Sequence, residues 1–190
     1  MRLLLIFLLF LAPVACSQEA NPPPEEELVS DQWRTYTHDD WGFSIDYPPG
    51  WRAKVMELDR TYLALFSLYD GETEGCDVYL DPWPLNKGRT PERAVAEMTE
   101  ASYLEALRTT LPGGTLRSLV TTRLDGQPAS QVVIDWPLRV EEKTLPMTAL
   151  QTTVFLGRHH FAISCDGSQT GYPGFEPKYR KITSSFRFLR

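Results

Sequence analysis

Short extended runs separated by turn signals dominate the chain from residue 41 onward. In the first run, Phe43, Ile45 and Tyr47 alternate with polar residues, a period of two that is typical of a strand with one buried face. The pair Asp125-Gly126 favours a two-residue hairpin between two later runs. Because strands joined by tight turns pair antiparallel, this pattern predicts a largely antiparallel sheet.

Further runs have the composition of strands. The run over residues 61–69 is apolar on both faces, which predicts a central strand. The run that begins at Cys76 is expected to stop near Pro82, because proline cannot donate to a strand ladder. The remaining predicted strands span residues 51–56, 116–124, 129–136, 147–156 and 159–165.

One segment in the middle of the chain has helical rather than strand periodicity. Thr90 is a good N-cap, Pro91 is favoured at the first helical position, and Glu92 suits the positive end of the helix dipole. Apolar residues then recur at three- and four-residue steps, which predicts one long helix over residues 91–110. The expected apolar stripe consists of Val95, Met98, Ala101, Leu104, Leu107 and Leu111.

A second, shorter helix is predicted near the C-terminus. Phe175, Tyr179, Ile182 and Phe186 have the three- and four-residue spacing of an apolar helix face. Strands with hairpin connections and two helical segments predict a single α+β domain over residues 35–190. This length lies within the usual range for one domain.

The N-terminus has the features of an export signal. A positive charge at Arg2 precedes an apolar run over residues 3–11, which is too short for a transmembrane helix of about 20 residues. The run suits the hydrophobic region of a secretory signal peptide over residues 1–16. The sequence therefore predicts an exported protein.

The end of this signal allows two interpretations. Val14-Ala15-Cys16 resembles a bacterial lipobox, in which the cysteine is lipidated, although Pro13 stands where leucine is usual. Ordinary signal-peptidase cleavage after Ser17 is the alternative. The Pro-rich acidic segment over residues 17–34 is expected to be an extended tether. If Cys16 is lipidated, we expect an outer-membrane lipoprotein facing the periplasm in a Gram-negative host. If cleavage is ordinary, we expect a secreted or periplasmic protein.

The two cysteines of the domain are expected to form a disulfide. Cys76 and Cys165 are the cysteines left once Cys16 is lipidated or removed, and thiols oxidise readily outside the cytoplasm. Free or metal-bound thiols are the alternative. Aspartates follow both cysteines, at Asp77 and Asp166, and a neighbouring negative charge raises a thiol pKa, which disfavours a reactive cysteine.

The opening of the domain resembles the PsbP-like superfamily. Residues 41–51, with the sequence WGFSIDYPPGW, combine an aromatic strand with a Pro-Pro-Gly-Trp turn, and the hairpin over residues 124–129 and the closing residues 160–186 follow in the family's order. The resemblance covers roughly residues 41–190 and points to the DcrB-like branch of bacterial envelope lipoproteins. It implies an α/β/α sandwich and a role as a binding or assembly factor rather than an enzyme.

Composition and motifs exclude several function classes. The net charge is −6, whereas a nucleic-acid-binding protein needs a basic surface. No nucleotide-binding, metalloprotease or hydrolase motif occurs in the sequence, so we expect neither a cofactor nor a metal. The alternative is an envelope hydrolase or metal-dependent enzyme that uses His159 or His160. Adjacent strand residues point to opposite faces, so one centre cannot readily use both.

Aromatic residues beside prolines are the candidates for partner binding. Trp83, Trp136 and Tyr172 lie next to proline in predicted loops or strand ends, and exposed aromatic rings can anchor a partner. The alternative for both tryptophans, and likewise for Tyr172, is that they close the ends of the core. We expect a non-catalytic, membrane-anchored envelope protein that binds a protein partner or small ligand; a structural lipoprotein without a ligand is the remaining alternative.

Overall fold

The computed structural model describes residues 32–57, 61–67, 74–82, 90–157 and 159–189. For residues 57, 61–67 and 82 the description is limited to the backbone. The predicted signal peptide, Cys16, most of the predicted tether and Trp83 lie outside these ranges. Within them, none of the helices combines the length and the apolar composition needed to cross a bilayer.

The described residues form ten strands and three helices. In chain order they are β1 (Arg34–His38), β2 (Phe43–Tyr47), β3 (Trp51–Glu57), β4 (Thr61–Ser67), β5 (Gly75–Pro82), α1 (Pro91–Glu97), α2 (Glu100–Thr110), β6 (Thr115–Leu124), β7 (Gln127–Val140), β8 (Lys143–Leu156), β9 (His159–Ser168), α3 (Tyr172–Ser185) and β10 (Arg187–Phe188). Each predicted strand is present, and β7 and β8 are longer than predicted.

Seven strands form the main sheet in the order β3-β4-β5-β9-β8-β7-β6. All of its neighbouring pairs are antiparallel. A smaller antiparallel sheet has the order β1-β2-β10. The predicted α+β class with a largely antiparallel sheet is therefore confirmed, and β4 is an inner strand as predicted.

Helices pack on both faces of the main sheet, as in an α/β/α sandwich. On one face, which we call the α3 face, Tyr179 and Ile182 of α3 pack with Leu150 of β8 and Ile163 of β9. On the other, the α1–α2 face, Leu107 packs against strand side chains of β7. Odd- and even-numbered residues of a strand therefore belong to different cores.

The predicted long helix is wrong, because the structure divides it into α1 and α2. The side chain of Thr99 accepts a hydrogen bond from the Ser102 amide, and the Ser102 hydroxyl accepts one from the Thr99 amide at 2.9 Å. This reciprocal capping begins a new helix. The break changes the buried face, so Leu104 of the expected stripe is 37% exposed, whereas Leu107 is 4% exposed.

The hairpin between β6 and β7 turns at Asp125 and Gly126, as predicted. Both residues have positive φ, at 46° and 80°, which is the conformation of the type I′ turn that suits twisted antiparallel strands. The Asp125 carboxylate also accepts a hydrogen bond from the Phe188 amide at 3.0 Å. The turn thereby joins the main sheet to the last strand of the small sheet.

Cys76 and Cys165 form the predicted disulfide. They are direct partners across the β5–β9 ladder, and both are buried in the core of the α3 face. The bond links strands whose sequences are 89 residues apart. It fixes the pairing of β5 with β9 directly beside Asp77 and Asp166, the residues that follow the two cysteines.

Candidate functional site

A groove runs along the α1–α2 face beside the helices. Helices α1 and α2 contact β6, β7 and β8, while side chains of β5 and β9 line the neighbouring part of the same face. Two adjoining cavities occupy this groove, with volumes of about 300 Å³ and 320 Å³, and both are lined by Gln151 of β8. We call them the acidic cavity and the histidine cavity.

Two carboxylates from neighbouring strands line the acidic cavity. Asp77 of β5 and Asp166 of β9 immediately follow the two cysteines of the disulfide. Since side chains alternate along a strand, both carboxylates lie on the face opposite the sulfur atoms. The Tyr79 hydroxyl donates a hydrogen bond to Asp77 Oδ2 at 3.1 Å, which leaves Asp166 as the less satisfied acid.

The two acids hold a proton more strongly than exposed aspartates do. Burial and the nearby negative charge of Asp77 raise the pKa of Asp166 to about 7. Burial also raises the pKa of Asp77, while the hydrogen bond from Tyr79 acts in the opposite direction. Two close carboxylates in a partly dry site cannot both ionise freely, so the pair releases its last proton near neutral pH.

Apolar side chains form part of the other walls of the acidic cavity, beside the polar side chain of Ser164. Ile134 and Trp136 come from β7, Ala149 comes from β8, and Leu111 comes from the C-terminal end of α2. The cavity thus combines two acids with an aliphatic and aromatic surface. Such a mixture of apolar walls and a few convergent polar groups is typical of a small-molecule site.

The histidine cavity lies at the other side of Gln151. Its lining includes Met98 at the break between the helices, Phe155 and His160. His160 Nε2 lies 3.3 Å from Asp81 Oδ2. This second acid of β5 is on the same face as Asp77, so the groove has carboxylates near both cavities.

The two histidines considered in the sequence are separated by the sheet. His160 is half-buried and lines the groove, whereas His159 is exposed and its side chain points to the other face. A centre that uses both is therefore not formed. Within the described residues, no group of three or more His, Cys, Asp or Glu side chains is placed to hold a metal ion.

The structure places the predicted partner-binding aromatic residues in different environments. Trp136 is half-buried and lines the acidic cavity, so its ring is available to a ligand in the groove. Tyr172 is only 3% exposed and belongs to the core of the α3 face. We correct Tyr172 to a core residue, because a surface anchor needs an accessible ring. Partner binding by Trp83 and lipidation of Cys16 stay predictions.

Sequence reasoning missed the role of Asp77 and Asp166 in the groove. Their sequence signal was the repeated Cys-Asp pair. If the two cysteines are cross-strand partners, the alternation of side chains places both aspartates on the face of the sheet opposite the sulfur atoms. Tyr79 and Gln151 carried no such signal, because their place in the groove depends on the order of the strands.

Comparisons with known proteins identify the fold. Neither a family model nor a curated protein sequence matches the chain. The solution structure of cyanobacterial PsbP from Synechocystis is similar, with a TM-score of 0.58 and 13% identity, over 86% of this chain and 96% of that one. The chain has a PsbP/Mog1-like fold.

Two other solved structures share the PsbP/Mog1-like fold. The Ran-binding protein Mog1p of Saccharomyces cerevisiae matches with a TM-score of 0.54 and 11% identity, over 84% of this chain and 97% of that one. A structure from Bacteroides thetaiotaomicron matches with a TM-score of 0.53 and 10% identity, over 83% of this chain and 48% of that one. At these identities the likeness describes the fold, and function has to be argued from the site.

Proposed function

We propose that this chain is an exported accessory protein of the cell envelope that binds a small ligand, or a side chain of a partner, without catalysing a reaction. The observation that carries the proposal is the groove of the α1–α2 face, with its two adjoining cavities of about 300 Å³ and 320 Å³. Each lies in the range of volumes, about 300–1,000 Å³, found for ligand sites.

The envelope location rests on the N-terminal sequence. The apolar run over residues 3–11 and the lipobox-like Val14-Ala15-Cys16 favour a lipid anchor, and the disulfide between Cys76 and Cys165 suits an oxidising compartment. We also propose that the chain belongs to the DcrB-like envelope lipoproteins, since this branch of the PsbP-like superfamily combines such a signal with this fold.

The groove is tested by native mass spectrometry of the full chain, expressed in a Gram-negative bacterium and released gently from its envelope. We expect a non-covalent adduct that is lost on denaturation. A Gln151→Trp variant places a large ring in the wall shared by both cavities, which should fill them, and it should lose the adduct. The matched control Thr170→Trp changes an exposed turn and should keep it. An absent adduct, or one retained by Gln151→Trp, contradicts the proposal.

The anchor is tested separately by detergent phase partitioning and palmitate labelling of the same expressed chain. Wild type should be labelled and enter the detergent phase, and a Cys16→Ser variant should be unlabelled and remain in the aqueous phase. Unlabelled wild type in the aqueous phase would contradict lipidation and favour ordinary cleavage after Ser17. This result leaves the groove proposal unaffected, because the residues that line the groove lie between positions 77 and 166.

A further inference from the structure

We propose that the acidic cavity binds an organic ammonium ion, that is, a primary or methylated amine that carries alkyl groups. The inference rests on the proposed function, since it requires the groove to be a ligand site, and it adds the charge and chemical class of the ligand. Its basis is that Asp77 and Asp166 line one cavity together with Trp136 and aliphatic side chains.

Charge is the first step of the argument. Among the described residues that line the acidic cavity, Asp77 and Asp166 carry the formal charges, and both are negative. Asp77 accepts a hydrogen bond from Tyr79, while the described residues give the Asp166 carboxylate neither a hydrogen bond nor an ion pair. A cation placed near both acids relieves their mutual repulsion, and an anion increases it.

The apolar walls distinguish an organic cation from a metal ion. Ca²⁺ and Mg²⁺ need six or more oxygen ligands, whereas Leu111 and Ile134 offer only aliphatic surface. Alkyl groups next to the ammonium nitrogen gain free energy when they are buried against such walls. The indole ring of Trp136 is the best aromatic partner for a cation when it lies within about 6 Å.

Protonation links this site to pH. The titratable groups that face Asp166 in the cavity are Asp77 and Tyr79 of β5. The other elements contribute side chains that do not titrate near neutral pH, namely Trp136 of β7, Gln151 of β8 and Leu111 at the end of α2. The adjoining histidine cavity adds Glu97, Tyr103 and His160. Since a cation prefers the doubly ionised pair, its binding releases a proton, and its affinity increases as the pH rises through about 7.

The test is isothermal titration calorimetry of the folded, oxidised protein with choline, n-butylammonium and 3,3-dimethylbutanol, which is the neutral isostere of choline. We expect at least one of the two cations to bind, and the alcohol to bind at least about tenfold more weakly than choline if choline is the ligand. Between pH 6 and pH 8 the cation affinity should increase about 5- to 10-fold, as the ionised fraction of Asp166 increases. An Nα-acetyl-lysine amide probe, whose one charge is the side-chain ammonium, identifies a partner's side chain as the source if it binds more tightly than butylammonium.

Variants connect the binding to the two acids. Asp166→Asn and Asp77→Asn should each weaken cation binding at pH 8 at least about tenfold, and Asp166→Asn should remove most of the pH dependence. Glu142→Gln removes one negative charge from the exposed β7–β8 turn and should leave the affinity unchanged. Circular dichroism verifies that each variant is folded before titration.

Several outcomes overturn the inference. They are the absence of binding by choline, n-butylammonium and the lysine probe alike, equal binding of the neutral isostere, an affinity that is unchanged in both aspartate variants, or an affinity that decreases as the pH rises. A neutral or anionic adduct in the native mass spectrum would also overturn the inference, but would leave the proposed function intact. The absence of any groove ligand would instead overturn the proposed function.

Discussion

Asp77 and Asp166 each follow one half of the same disulfide, and both point to the face of the sheet opposite the sulfur atoms. Pairing of Cys76 with Cys165 sets the register of β5 and β9, and the alternation of side chains then brings the two carboxylates to one cavity. The bond on one face thus holds the acid pair on the other.

Asp166→Asn should stabilise the fold at alkaline pH. The pKa of Asp166 is raised from 3.8 to about 7 in the folded state, so the ionised carboxylate opposes folding once the pH exceeds 3.8, and increasingly so up to about 7. A shift of this size corresponds to at most about 4 kcal/mol. Because Asp166 is only partly buried, solvent screens its charge, and we expect a gain of about 1–3 kcal/mol in the free energy of unfolding at pH 8.

Urea unfolding at pH 4 and pH 8 measures this effect. At pH 4 wild-type Asp166 is protonated in the folded state and resembles asparagine, so the gain should nearly disappear. Glu142→Gln, in an exposed turn, should change the free energy of unfolding by less than about 0.5 kcal/mol at either pH. An equal gain at both pH values, or a loss at pH 8, would show that the environment of Asp166 differs from the one described.

Removal of the disulfide should destabilise the domain. The bond closes a loop between residues that are 89 positions apart, so its loss increases the entropy of the unfolded chain. We expect Cys76→Ala/Cys165→Ala to lower the free energy of unfolding by about 2–5 kcal/mol. Urea unfolding of wild type with and without reductant provides the control, since only wild type should respond to reductant. A double variant as stable as the oxidised wild type would contradict the prediction.

The break between α1 and α2 predicts an effect at Thr99. Its side chain accepts the hydrogen bond that caps α2, so Thr99→Ala should lower the free energy of unfolding by about 1 kcal/mol. The matched control is Thr109→Ala within α2. That threonine is also exposed, and its replacement should be neutral or slightly stabilising because alanine favours helices. Equal losses in the two variants would contradict a capping role.

The Asp125-Gly126 hairpin allows a comparison of two glycines. A Cβ atom added at Gly126 or at Gly174 would meet no atom within 4 Å, but only Gly126 has a positive φ, of 80°. Gly126→Ala should therefore cost about 1 kcal/mol of stability, whereas Gly174→Ala, inside α3, should be neutral or stabilising by about 0.5–1 kcal/mol. Thermal unfolding measures both changes. The reverse order would contradict the type I′ turn.

The sequence predicted the elements that local chemistry determines. Period-two alternation located β2, and the Thr90-Pro91 boundary located the start of α1. The break at Thr99 was not predicted, because the apolar spacing continues through it and the competing signal was the capping pair with Ser102. Local hydrogen bonds at that point determined the helix boundary more strongly than the periodicity did.

The groove was less predictable than the fold. Strand order decides which side chains of β5, β8 and β9 become neighbours, and no local pattern encodes that order. Trp136, chosen for its residue type and its proline neighbour, lines the acidic cavity, whereas Tyr172, chosen by the same argument, is a core residue. Residue type alone did not distinguish the two, because burial depends on how α3 packs against the sheet.

The most direct measurement is a carbon-13 NMR titration of the aspartate side-chain carboxyl groups, with and without choline or n-butylammonium. We expect Asp166 to titrate near pH 7 in the free protein and the pKa of Asp77 to lie above its ordinary range, and we expect an added ammonium ion to lower the pKa of Asp166. Ordinary pKa values near 4 for both aspartates, unchanged by either ammonium ion, would show that the acidic cavity is not an ammonium-binding site.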